Sequence, residues 1–184
     1  MSLPFGNRKS ALVFDTETTG LIDNQLIREQ HQPRMIEFFG NVVNARGDIT
    51  RELEFFADPG IPIPPIITKI TGINFQTLKN AKPFSDHADE LIELIESCDM
   101  VVAHNMSYDH MIIELELRRI EMQVEWPTMI CTVESTEWFK GYRLNLQDLH
   151  EYLFGEVFEN AHRARNDVNA LTRCFIELRA RGDI

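Results

Sequence analysis

The chain has 184 residues, with 18 Lys plus Arg against 29 Asp plus Glu, for a formal net charge of −11. That length supports one domain with a full core and no staples, and the acidic balance excludes a protein that coats nucleic acid by charge alone. It leaves room for an enzyme that meets phosphate through bound divalent cations, which invert the local sign. Cys98, Cys131 and Cys174 are too scattered for a zinc site or a disulfide framework, and read as reduced core residues of a cytoplasmic protein. No apolar run reaches membrane-spanning length and no secretory signal is read, so a membrane is not expected as a partner.

The first element is Ala11-Leu12-Val13-Phe14-Asp15-Thr16-Glu17. A continuous apolar run of this kind predicts a buried central strand, and Asp15 and Glu17, two apart, project from the same face at its end. Paired carboxylates there suit Mg²⁺ or Mn²⁺, or else the strand has ended and the acids are solvated. Ile22 to Arg34 reads as a polar loop. Met35 to Val43 and Ile49 to Ala57, joined by the turn Asn44-Ala45-Arg46-Gly47-Asp48, complete an antiparallel meander. A short helix is expected to start on the last proline of Pro62-Ile63-Pro64-Pro65 and to end at Thr71-Gly72-Ile73.

Phe84, Ala88, Leu91, Ile92 and Ile95 predict a helix, and Asp99 to His104 a short buried strand. Ser107 is a candidate cap for the next helix, whose apolar side is Ile112, Ile113, Leu117 and Ile120. Met129 to Val133 reads as a further strand. Asn145 opens a helix that Gly155 closes, and Asn160 is a candidate cap for a last helix running to about Ala180. A meander followed by strand and helix alternation gives an α/β domain with a mixed sheet spanning residues 1–184.

Three residues in the helices break their patterns. Asp109 sits in a first helical turn, where an acid complements the dipole, but that is also where α/β sheets gather ligands. Asp167 lies on the apolar stripe Ala164, Val168, Leu171, Phe175 and Leu178. An acid facing a core needs a partner: either Arg163 four residues earlier, or a cation. His162, five residues before Asp167, is a candidate general base once acids and a metal lie beside it. His104 is read as orienting the loop before Asp109.

Three segments, in order, resemble the motifs of the DEDDh 3′→5′ exonucleases, the superfamily of proofreading exonuclease subunits: Phe14-Asp15-Thr16-Glu17-Thr18-Thr19-Gly20-Leu21, Ala103-His104-Asn105-Met106-Ser107-Tyr108-Asp109 and Ala161-His162-Arg163-Ala164-Arg165-Asn166-Asp167. The resemblance implies a ribonuclease-H-like fold, a mixed five-stranded sheet flanked by helices. It also implies two Mg²⁺ or Mn²⁺ ions, with Asp15 bridging both, Glu17 and Asp167 on the first, Asp109 on the second and His162 as the base. It implies that Thr18, Gly20 and Leu21 contact the terminal nucleotide, with Asn105 a further candidate. The implied partner is a single-stranded 3′ end, DNA favoured because Thr16 and Thr18 flank Glu17 as in the DNA-directed branches. A polymerase or a second copy of the chain is the implied protein partner. RNA trimming is the nearest alternative, and a non-catalytic binding module the more distant one. Two departures stand out: Tyr108 replaces a common phenylalanine, and Asn24 to Arg34 is a longer link than usual.

Overall fold

The structure is a computed structural model and describes residues 10–23, 31–159 and 161–184. Most of the Asn24–Arg34 link and the expected cap Asn160 lie outside these residues. The opening apolar run forms β1 (Ala11–Thr18), and β2 (Met35–Val43) has the bounds its composition indicates. In the turn to β3 (Ile49–Asp58), the Asn44 side-chain oxygen accepts the N–H groups of Arg46 at 2.8 Å and Asp48 at 3.1 Å. The three strands form the expected antiparallel meander, with Glu17 opposite Glu37 and Glu37 opposite Phe56.

The proline-rich stretch leads into α1 (Pro65–Thr71), which begins on Pro65 and ends at Gly72, left-handed at φ 75°. A glycine takes that conformation without a Cβ penalty. Next come α2 (Phe75–Leu78), capped by Asn74, and the two-residue β4 (Lys82–Pro83). The helix expected from Phe84 is interrupted: a 3-10 turn over Phe84–Asp86 precedes α3 (Ala88–Glu96). The His87 N–H bonds back to the Phe84 carbonyl at 2.9 Å, and this tight turn swings the chain before α3 begins.

Beyond β5 (Met100–Ala103), α4 (Met106–Arg119) starts before the expected cap. Asn105 holds the N-cap position with φ 77°, and Ser107 lies inside the helix. Asparagine tolerates this left-handed backbone better than most residues, which lets the helix start directly after the strand. The strand expected over Met129–Val133 is β6 (Thr128–Cys131), and its last residues instead enter α5 (Thr132–Thr136). Thr132 and Thr136 are joined there by a hydroxyl-to-carbonyl bond of 2.7 Å. Finally α6 (Leu146–Phe154) runs from its Asn145 cap to Gly155, and α7 (Ala164–Arg181) closes the chain.

The sheet order is β4-β3-β2-β1-β5-β6, with β5 parallel to β1 and β6 parallel to β5. This is the expected mixed sheet with one more strand. The extra one is only β4, where Pro83 has no N–H to extend a ladder. Side-chain alternation then divides the core. Leu12, Phe14, Phe38 and Phe55 pack toward α3 and α4, whereas Val13, Phe39 and Val43 pack toward Val168, Leu171 and Phe175 of α7. Cys98 and Cys174 are buried, Cys131 is half-buried, and all three are free thiols. Among the described residues no helix is long and apolar enough to cross a membrane.

At one end of this sheet β1, β3 and β5 finish, β2 starts, and α4 and α7 begin. All the acids singled out above lie there. The scaffold beneath depends on a ring stack, Phe14–Phe38 at 5.9 Å and Phe38–Phe55 at 5.3 Å between centroids. Phe38→Ala is expected to cost about 3–5 kcal/mol, the usual penalty for emptying a buried aromatic site. Urea unfolding checks this, and a loss below about 1 kcal/mol would mean that the stack is not the keystone of this face.

Candidate active site

Because β1 alternates faces, Asp15 and Glu17 both project toward α7, and Asp167 in the first turn of α7 meets them there. One carboxylate oxygen from each of the three lies within 4.8 Å of the others. Asp109, 3% exposed in the first turn of α4, is held from the other side of the strand. Its Oδ1 accepts the Thr16 N–H at 3.0 Å and the Thr16 hydroxyl at 2.7 Å. Thr16, the residue between the two strand acids, thus binds the start of α4 to β1.

Burial raises these four carboxyls, and neighbouring acids add to it at Asp15, Glu17 and Asp167. Burial, then repulsion from Asp109, Glu17 and Asp167, pushes Asp15 well above the ordinary aspartate range. Burial, with Asp167 and Glu37 next, pushes Glu17 up to about 8, partly offset by Arg163. Burial raises Asp109 to about 7 against the opposing bonds from Thr16, and Asp167 to about 6 against the N–H of His162. Asp15, Glu17 and Asp167, which cannot all ionise unaided, form a hard oxygen donor set suited to Mg²⁺ or Mn²⁺. The residues fit such ions.

A fifth acid, Glu37, was not singled out from the sequence. It is fully buried opposite Glu17 and is neutralised by Arg163, with Nη2 to Oε1 at 3.0 Å and Nε to Oε2 at 3.3 Å. Its Oε2 also accepts the Ala164 N–H at 3.2 Å, so a side chain from β2 caps α7. Arg163 is therefore the partner of Glu37, not of Asp167. The Asp167 carboxylate instead accepts the backbone N–H of His162 at 2.9 Å. That bond helps to hold His162 in its left-handed conformation, φ 67°, which few residues other than glycine adopt. The histidine is exposed and lines a cavity of about 410 Å³ together with Asp15, Asp167, His104, Gln147 and Phe158.

The other singled-out residues border this cavity or the loop after β1. His104 bridges elements: its Nδ1 lies 2.9 Å from the Thr132 hydroxyl and its Nε2 3.1 Å from the Leu144 carbonyl. A carbonyl only accepts, so Nε2 carries the proton, and burial lowers this imidazole to about 4. It ties β5 to the segment before α6. Thr18 is buried, its hydroxyl 2.7 Å from the Gly20 carbonyl and 2.6 Å from the Tyr108 hydroxyl. Tyr108 also donates to the Gly20 carbonyl at 2.7 Å, a fastening that phenylalanine would lack. Leu21 is 84% exposed just beyond, and Asn105 is exposed at the start of α4.

An acid cluster at the end of the central strand of this mixed sheet is an arrangement suited to metal-assisted phosphodiester hydrolysis. The chain belongs to the exonuclease family: the family model described as "Exonuclease" matches residues 12–175. It is similar to the "3'-5' exonuclease DinG" of Bacillus subtilis (strain 168), 29% identical over 176 residues, covering 94% of this chain and 18% of that protein. It is also similar to the "DNA polymerase III PolC-type" of Caldanaerobacter subterraneus subsp. tengcongensis, 31% identical over 176 residues, covering 91% of this chain and 11% of that protein. The chain thus spans under a fifth of the length of these relatives. Among solved structures, the nuclease domain of 3'hExo, described as a DEDDh family member bound to rAMP, superposes with a TM-score of 0.76. It is 14% identical, and the match covers 95% of this chain and 94% of that one.

The raised acids set a pH dependence for the metal-free fold. Folded, Glu17 and Asp167 keep protons up to about 8 and 6, whereas unfolded they lose them near 4.5 and 3.8. Their contribution is fully present below the unfolded values and is lost progressively from there up to about 6 for Asp167 and about 8 for Glu17. In chelator, thermal unfolding scans should show Tm falling over that range, and Glu17→Gln should flatten the fall. A metal-free Tm that rises steadily to pH 8 would contradict the electrostatic picture.

Proposed function

We propose that the chain, as one domain, is a metal-dependent 3′→5′ exonuclease that hydrolyses the terminal phosphodiester of single-stranded or frayed DNA, releasing nucleoside 5′-monophosphates. The observation that carries this is the convergence of Asp15, Glu17 and Asp167 within 4.8 Å, beside His162 on an open cavity. Asp15, Glu17 and Asp167 together with Asp109 would hold two divalent ions. When bound, two such ions stabilise the attacking and leaving oxygens of an in-line displacement.

The chain's own groups do the rest. His162 accepts a proton from the attacking water at a ring nitrogen as the new oxygen–phosphorus bond forms. The bond to the preceding nucleotide's 3′ oxygen breaks, and that oxygen takes a proton from solvent water to become the new 3′ hydroxyl. Thr16 keeps Asp109 in register with Asp15, and the Glu37–Arg163 pair keeps Asp167 and His162 at the start of α7. The loop Thr18–Leu21 receives the terminal nucleotide, its backbone fastened by Tyr108 and its exposed Leu21 offered to a base, with Asn105 at the rim. Stacking on an apolar side chain favours an end that is already unpaired.

DNA is favoured because relatives of this chain carry polymerase and exonuclease names, including a DNA polymerase III of the PolC type. That likeness also supports a cytoplasmic setting and a polymerase as partner. The structural likeness to a nuclease domain bound to rAMP favours RNA trimming as a second reading.

One experiment tests the reading: matched 3′- and 5′-labelled strands of DNA and RNA, incubated with Mg²⁺, Mn²⁺ or chelator. Mononucleotides should appear one at a time from a free 3′ hydroxyl, only with metal. Asp15→Asn should abolish them, and His162→Ala should lower turnover by roughly 10²–10⁴-fold, the usual worth of a general base. Internal cuts, or full activity of either variant, would refute the assignment.

A further inference from the structure

One surface beside the acid cluster differs in charge from the rest of the chain. Between Asp58 and Asp86 the sequence contains no acid, the longest such stretch in a chain of net charge −11, and it holds three of the five lysines. It hangs from the same sheet end as the catalytic acids. Ile73 and Leu78 pack with Ile36 and Phe56, and the Phe56 ring lies opposite Glu37 and 5.7 Å from the Arg163 guanidinium.

The outer face of this lobe is apolar and open. Phe75 at the start of α2 is 76% exposed, and Ile61 is 48% exposed. Both line a groove of about 600 Å³ whose rim carries Lys79. Asp58 stands at the edge of the groove, its carboxylate accepting the Gly60 N–H at 2.9 Å. Lys82 leans toward Asp86 at 3.9 Å, whereas Lys69 and Lys79 meet no carboxylate among the described residues. Exposed apolar side chains grouped around a groove are candidates for contact with a partner.

Resting on the exonuclease reading, we infer that this face carries the upstream part of the substrate strand, with a base stacked on Phe75 and the backbone phosphates passing Lys79. Charge selects this occupant. A strand held by its 3′ nucleotide at the acids must lead its remaining phosphates across a strongly acidic protein, and this face, with Asp58 alone at its edge and no acid from there to Asp86, is the path of least repulsion. Apolar rings interleaved with cations are also what sequence-tolerant single-strand binding requires.

The test compares two substrates, the p-nitrophenyl ester of thymidine 5′-monophosphate, which fills only the catalytic cavity, and an oligothymidylate of about 12 nucleotides. Phe75→Ala should raise KM for the oligonucleotide by roughly 5- to 100-fold, with kcat and hydrolysis of the ester unchanged. Lys79→Ala should weaken binding and reduce the log–log salt slope by about 0.7 for each phosphate that is no longer neutralised. Unchanged oligonucleotide KM and salt slope in both variants would overturn the path and leave the face to a protein. Should the wild type cleave neither substrate, the exonuclease reading falls by itself. Fluorescence anisotropy of the labelled oligonucleotide in Ca²⁺ then decides the path alone: weaker binding by Phe75→Ala supports it, and equal binding refutes it.

Discussion

Like charges forced together at the end of one buried strand govern this structure. Asp15 and Glu17 share a face of β1 because a strand alternates, and the fold adds Asp167, Asp109 and Glu37 around them. Such a cluster is tolerated only where each oxygen has a donor or its proton. Here the donors differ from acid to acid. Thr16 serves Asp109, Arg163 and the Ala164 N–H serve Glu37, and the His162 N–H serves Asp167. What these bonds leave uncompensated is the charge of Asp15 and Glu17, whose proton affinities are raised most by burial and repulsion. An apolar core would be cheaper, so the cluster points to cation binding and not to stability.

The same bonds couple the site to the fold. Glu37 comes from β2, yet it caps α7 and fixes Arg163, so the helix that presents Asp167 is keyed directly to the meander. Arg165, two residues on, pairs with Glu54 of β3 at 2.6 Å and stacks 4.3 Å from the Phe39 ring. With α4 bound to β1 through Thr16, both helices that supply acids are positioned by strand residues and not by long loops. Sites built this way keep their geometry because the supporting rotamers are themselves locked.

Much of this was legible before the fold was known, for reasons that differ from residue to residue. The bounds of β2 follow from composition alone, and those of α1 from Pro65 and Gly72, because these signals are local. Asp167 stood out as an acid on an apolar stripe. Its partner did not: spacing of four along a helix suggested Arg163, but Glu37, distant in sequence, offers that guanidinium two oxygens in a buried setting. Glu37 itself was a visible anomaly, a single acid within Met-Ile-Glu-Phe-Phe. Its meaning depends on strand register, which no local pattern encodes. The break at His87 and the early start of α4 at Asn105 were likewise decided by backbone geometry at one residue each.

If the cluster serves cations, their binding must displace the protons that its buried carboxyls hold. Titration calorimetry of the metal-free protein with Mn²⁺ at neutral pH, in two buffers of different ionisation enthalpy, counts the protons released on binding. With Asp15 and Glu17 held well above their ordinary range, saturation should release about one proton or more per chain, and the release should shrink as pH is raised toward 9. Saturation without proton release at neutral pH, or no measurable Mn²⁺ binding, would contradict the account.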